Sequence, residues 1–270
     1  MGHGSEPEGG HLPACLPDDL CLLQRYLQAC AAVAGNLILS LETATGCGSV
    51  SLTRGALTGF QLLAECTIQQ ELTHSRRLLG SVIWVLEAAG AKWADLDAIA
   101  VSRGPGSFTG LRIGMAAAKS FAMATGKPLV GVNTLEALAL ASPPGSSLVC
   151  SLLDARKQEL YAAFYRMDAD GLPRPLGRPA VLPPALLLAE VTEPVLLVGP
   201  GAKVYKEQWA AGKEVSRLPD HLCQPSARQV GLLAAGMLAQ GKVLEPAGAA
   251  PLYVRASEAE INLQRTERNG

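Results

Sequence analysis

The chain has 270 residues, 49% apolar and 17% charged, which is enough hydrophobic material for one large domain or two ordinary ones and argues against disorder over most of the length. Its 23 basic and 24 acidic residues leave a net charge of −1. A protein that grips nucleic acid unaided needs a basic excess to displace phosphate counterions, so direct tRNA or DNA binding by this chain alone is disfavoured. The longest apolar run near the start, 26–34, is too short to cross a bilayer and follows no basic region, which predicts a soluble, cytoplasmic protein without a membrane partner. Seven scattered cysteines with no C-x-x-C pair read as reduced thiols rather than a zinc site.

Residues 1–35, rich in Gly, Pro, Glu and Ala, show no period and read as a poorly ordered extension, or as sequence ahead of a true start near Val33. Regular patterning begins at Leu37. Leu37–Leu41 is an apolar strand, Cys47–Thr53 alternates as a second, and 59–67 follows as a third. Residues 75–90 carry helical periodicity and stop at Gly90. Asp97–Ser102 is a strand, RGPGSFTG a glycine-rich loop, and 111–125 a small-residue helix ended by Gly126. Pro128–Val132 is another strand, followed by a helix to about 141. Strands alternating with helices predict an α/β fold with mixed sheets flanked by helices.

Ser142-Pro143-Pro144-Gly145 marks a boundary. The predicted organisation is a first α/β domain at 36–142, a second, less regular one at 143–255, and a tail at 256–270. A helix at 226–240 is placed as packing on the first domain. Beyond the boundary, strand Leu148–Leu153 ends at Asp154 and strand 159–166 follows, repeating the opening order of strand, acidic residue, turn, strand. Glu42 and Asp154 occupy matching places, as do Cys47 and Glu159, which suggests two related halves. Strand Val195–Val198, a helix after Gly201 and a short PLYVR segment at 251–255 complete the chain.

Several residues offer chemistry, each with a bland alternative. The turn Gly104-Pro105-Gly106-Ser107 at a helix start could hold an anion on backbone amides, or be a tight turn that lets strand and helix approach. It lacks the Lys-Ser/Thr of a phosphate loop, because Leu111-Arg112 follows Gly110. Glu42 and Asp154 could hold Mg²⁺ or cap their turns, and Arg156 could orient Asp154 by a charge-assisted hydrogen bond or be a local pair. His74 could pair with Ser107 or be a helix cap, but no G-x-S-x-G elbow exists, and His221 lies in a Pro-flanked loop. On the 75–90 helix the apolar residues, among them Leu78, Val82 and Leu86, span roughly 160°, wider than the stripe one sheet face needs. On the next helix Gly110, Gly114, Ala118 and Ala122 make a row of small residues, which suits either close packing on the chain's own sheet or a helix contact with another subunit.

Taken together, ILSLETATGCGSVSL, HSRRLLGSVIWVLEAAG, SRGPGSFTGLRIGMAAAKSFA, PLVGVNTLEALA, DARKQELYAAFY and PLYVR resemble the TsaB (YeaZ) family over about residues 36–255. The resemblance implies a duplicated actin/Hsp70/sugar-kinase-like fold with ribonuclease H-like halves. It implies an accessory, non-catalytic subunit that docks on the catalytic paralogue TsaD, with the ATPase TsaE assisting and self-dimers forming. The assembly would modify adenosine 37 of ANN-decoding tRNAs, and tRNA would be met only through the complex. In TsaD an H-x-x-x-H pair binds metal; the corresponding positions here are Thr134 and Leu138, neither an imidazole. ATP or ADP and the metal would therefore belong to partner subunits, with no cofactor in this chain. The family usually has Asp where Glu42 stands, so Glu42, Gly104, Gly106, Ser107 and Asp154 are expected to form at most a vestigial nucleotide or anion loop. The family's docking role is carried onto Leu78, Val82, Leu86, Gly110, Gly114 and Ala118. A peptidase or nucleotide hydrolase of the same superfamily, or a purely homodimeric structural protein, are the rival readings.

Overall fold

A computed structural model describes residues 35–255, apart from 57–58, 70–73, 144, 147 and 212–213. The leader before Gly35 and the tail after Arg255 lie outside the described residues. The first sheet is built from β1 (Leu37–Glu42), β2 (Cys47–Arg54), β3 (Gln61–Gln69), β4 (Ala98–Gly104) and β5 (Leu129–Asn133), in the order β3-β2-β1-β4-β5. β1, β2 and β3 are antiparallel neighbours, while β4 runs parallel to β1 and β5 parallel to β4. The second sheet uses β6 (Leu148–Asp154), β7 (Leu160–Met167), β8 (Pro173–Pro175), β10 (Val195–Val198) and β11 (Val215–Arg217), with β9 (Ala180–Leu182) pairing on β7. Its order, β8-β7-β6-β10-β11, repeats the first in position and direction: two antiparallel steps on one side of the lead strand and two parallel steps on the other. The expected α/β architecture of two related mixed sheets flanked by helices is what forms.

Both faces of the first sheet are covered, which explains why LILSLE is buried at all six positions rather than alternating. Leu37, Leu39 and Leu41 face Leu78, Val82, Val85 and Leu86 of α1 (His74–Ala88) and Met115, Ala118 and Ala122 of α2 (Phe108–Thr125). On the other face Ile38, Ala98, Ala100, Val130 and Val132 meet Val230, Leu233 and Ala234 of α6 (Ala227–Ala239). α2 is stopped by Gly126 in the left-handed conformation (φ 68°), where a side chain would be strained.

The short helix α3 (Thr134–Ala139) is shared by the two sheets. Ala137 packs with the first, whereas Leu135, Leu138 and Ala139 pack with Val149, Leu153, Ala163 and Val198 of the second. The far side of the second sheet is covered by α4 (Pro184–Glu190) and α5 (Pro200–Val204), through Leu187 and Ala202, with Trp209 beside them. β8, β9, β11 and α4 have no counterpart in the sequence reading. Three-residue strands have no period to read, and their existence depends on β7 and β10 offering an edge.

This packing corrects the docking residues inferred from the sequence. Val82 and Ala118 are wholly buried, as Leu78, Leu86, Gly110 and Gly114 nearly are, all inside the chain's own core. The row of small residues exists for an internal reason: a Cβ on Gly110 would collide with the Thr43 carbonyl, and one on Gly114 with the Thr43 hydroxyl. Gly110→Ala is therefore expected to lower stability by about 1–3 kcal/mol, the usual cost of overpacking. Val82→Arg is expected to unfold the chain by burying an unpaired charge. Urea denaturation followed by circular dichroism checks both.

Candidate functional site

Three turns and the last described residues converge on a cleft of about 810 Å³ between the two halves of the folded region. One wall is the β1–β2 turn, Ala44–Gly46, joined to Gly106, Ser107, Phe108 and Arg112. The opposite wall is the β6–β7 turn, Asp154–Lys157, with Tyr161, Pro200 and Val204. Tyr253 and Arg255 complete the lining.

The two lead strands end alike. Glu42 Oε1 accepts the Ala44 N–H at 2.5 Å, and Asp154 Oδ1 accepts the Arg156 N–H at 2.9 Å, each carboxylate capping the amide two residues on. Glu42 and Asp154 thus hold matching places at the strand ends and make the same turn-capping contact. Their surroundings differ. Glu42 is fully buried, and burial pushes its carboxyl up to about 7 despite the hydrogen bonds from Ala44 and Ser102; among the described residues its Oε2 has no hydrogen-bond partner. Asp154 faces the cleft and also accepts a hydrogen bond from the Tyr205 hydroxyl at 3.4 Å. Arg156 holds Asp154 mainly through its backbone: its guanidinium is 88% exposed and 3.9 Å away. Arg156, Lys157 and Gln158 all take positive φ (62°, 53° and 60°), a run of strained left-handed residues that bends this turn along the cleft.

Three of the six backbone N–H groups between Gly104 and Gly110 are spent internally. Gly104 N–H donates to Thr134 Oγ1 at 3.1 Å, Ser107 N–H to the Ala44 carbonyl at 2.6 Å, and Gly110 N–H to Ser107 Oγ at 3.3 Å. Gly106 lies so close to Ala44 that a side chain would strike its carbonyl. The loop is therefore a clamp between β4, β1 and α2. Ser107 acts as an ordinary N-cap. His74 opens α1, but its side chain lies outside the described residues, so a pairing with Ser107 has no structural account. His221 sits exposed on a single turn and does not line the cleft.

Thr134 and Leu138, the positions matched to metal-binding histidines, are both fully buried. Thr134 serves as acceptor for Gly104, and Leu138 fills the space that the absent side chain of Gly199 leaves open. Among the described residues no group of three or more His, Cys, Asp or Glu side chains could hold a metal ion, and no helix is long and apolar enough to cross a membrane.

The final PLYVR segment, 251–255, runs across both halves. Leu252 N–H donates to the Arg103 carbonyl at 2.7 Å, and Gly104 is needed beside it because a Cβ would meet the Leu252 carbonyl. The Tyr253 ring lies 5.1 Å from that of Phe108. Arg255 donates to the Ala155 carbonyl at 2.9 Å and forms an ion pair with Glu159. Residues 252–255 thus strap the first half to the second.

The family model for TsaD, tRNA N6-adenosine threonylcarbamoyltransferase, matches residues 61–263. The Escherichia coli tRNA threonylcarbamoyladenosine biosynthesis protein TsaB is 31% identical over 231 residues, spanning 82% of this chain and 96% of its own. This chain belongs to the TsaB family. The Bacillus subtilis TsaB is 29% identical over 210 residues, 75% of this chain and 91% of its own. YeaZ from Pseudomonas aeruginosa, a solved structure, aligns with a TM-score of 0.67 and 29% identity over 81% of this chain and 99% of that one.

Within this TsaB-family chain, Glu42 makes stability depend on pH. Its carboxyl is raised in the folded state from an ordinary value of 4.5 to about 7, so the folded protein holds a proton that the unfolded chain gives up. The sign follows: this contribution is complete below about pH 4.5, is lost as pH rises towards 7, and is flat above. Urea midpoints across that window should fall with rising pH, and Glu42→Gln should flatten the curve.

Proposed function

We propose that this chain is a non-catalytic accessory subunit in tRNA threonylcarbamoyladenosine biosynthesis, docking on a TsaD-type catalytic subunit through the outward face of α1. The observation that carries the reading is the stripe Leu79, Ile83 and Trp84, exposed at 51%, 44% and 52% on the side of α1 turned away from its own sheet. Positions 79 and 83 are one turn apart and share a face, while Trp84, about 100° further round the helix, is a separate exposed anchor. α2 covers the same sheet face beside α1, and its Met123 is 68% exposed. A monomer gains nothing by presenting such residues to water, whereas aromatic and aliphatic anchors of this kind dominate protein interfaces.

The wide apolar arc of α1 therefore serves two sides: Leu78, Val82, Val85 and Leu86 are buried, Leu79 and Ile83 at its edge are exposed, and Trp84 is exposed beyond that edge. The non-catalytic part of the reading is supported by residue chemistry. Thr134 and Leu138 offer no imidazole, and both are committed to internal contacts. The near-neutral net charge supports leaving tRNA contact to partners, and an ATPase of the TsaE type belongs to the same assembly. The same stripe pairs two copies of the chain when the partner is absent.

Ile83→Asp with Trp84→Ala is expected to abolish co-purification with a TsaD-type subunit. Circular dichroism and the melting temperature should stay near wild type, because about half of each side chain is already exposed and neither belongs to the core. Retained binding would overturn the docking face. Conversion of adenylate donor and tRNA to product by the isolated chain would overturn the accessory role.

A further inference from the structure

The cleft holds a guanidinium that the docking face does not use. Arg112, one turn into α2, lies with its Cζ 3.9 Å from the centre of the Phe108 ring, and its Nε donates to the Tyr253 hydroxyl at 3.2 Å. Stacking on one side and an acceptor at Nε fix the plane of the group. Among the described residues Nη1 and Nη2 have no hydrogen-bond partner. A planar fork with its orientation set in advance and its two outer nitrogens unspent matches the head of a carboxylate or phosphate.

The surroundings have the same sign. Arg112, Arg156, Lys157 and Arg255 line the cleft against Asp154 as the one acid in its lining. Glu159 neutralises Arg255, and Asp154 lies 3.9 Å from the Arg156 guanidinium, which leaves the Arg112 side positive. The cleft volume, about 810 Å³, lies in the range of small-molecule sites. Leu153, Ala155, Val204 and the Phe108 and Tyr253 rings supply apolar wall. The Gly104, Ser107 and Gly110 amides do not compete for the anion, since they are bonded internally.

We propose that this cleft binds a small organic anion with a single carboxylate or phosphate head, gripped by the Arg112 fork and held against the Phe108 and Tyr253 rings. A compact head suits the site because Asp154 on the facing wall repels an extended chain of negative charges. Tyr253 is a positioning residue: it belongs to the strap, so the anion site is complete only when residues 252–255 are seated across both halves.

Benzoate and phenyl phosphate, which share a ring and differ only in the head, are titrated into the full chain and followed by calorimetry and by chemical-shift changes. The expected result is saturable binding of at least one probe at one site per chain, and the preferred probe identifies the head group. Arg112→Gln should weaken that binding by about tenfold or more, the loss expected for charge-assisted hydrogen bonds. Arg112→Lys, which keeps the charge but not the fork, should also weaken it, and Tyr253→Phe should do so by a smaller factor. Arg112 is exposed, so unchanged melting temperatures are expected and verify that the fold is intact. Failure of both probes to bind the wild-type chain, or equal binding by Arg112→Gln, would overturn the site without touching the docking face on α1.

Discussion

One close approach of backbone to backbone seats α2 on the first sheet and shapes the cleft. The turn after β1 is pressed against the start of α2 so tightly that Ser107 N–H reaches the Ala44 carbonyl at 2.6 Å, while Gly106, Gly110 and Gly114 leave room for Ala44 and Thr43. Glu42 reinforces the turn from below by accepting the Ala44 amide. Because α2 is seated by this contact, its inner residues reach the sheet and its first turn forms a wall of the cleft. The glycines in the helix are an energetic cost of up to roughly 1 kcal/mol each relative to alanine, offset by the packing they permit.

The second organising element is α3, six residues that serve both sheets. Its N-cap Asn133 accepts from Leu135 and Glu136, Thr134 Oγ1 accepts from Gly104, and Leu138 fills the space beside Gly199. Thr134 and Leu138, the positions that the sequence resemblance matches to a metal pair, serve here as structural joints between the halves. A buried leucine in close contact and a buried hydroxyl already bonded are hard to reconvert, since changing either would leave a cavity or an orphaned amide.

Much of the architecture was legible in the sequence. Leu37–Glu42, Val195–Val198 and the helices ending at Gly90 and Gly126 announce themselves through hydrophobic period and glycine stops. The pairing of Glu42 with Asp154 was legible too, because a duplicated fold repeats its chemistry at a constant offset. The short strands β8, β9 and β11 were not, since pairing partners supplied by β7 and β10 create them. Periodicity also could not tell the inner part of the α1 stripe from the outer. Leu78 and Leu79 are the same residue type side by side, and only their angle to the sheet makes one core and the other surface.

The amino-acid sequence by itself determined the family, the two α/β halves, the absence of an imidazole pair at 134 and 138, and the glycines that the clamp requires. These follow from residue type and local order, which chain folding does not alter. The tertiary contacts decide that the predicted docking residues are core, that the Gly104, Ser107 and Gly110 amides are bonded internally, and that Arg112, Tyr253 and Arg255 line one cleft. Those outcomes depend on contacts between residues far apart in sequence, such as Arg112 with Tyr253, 141 positions away, and no local pattern encodes the distance between them.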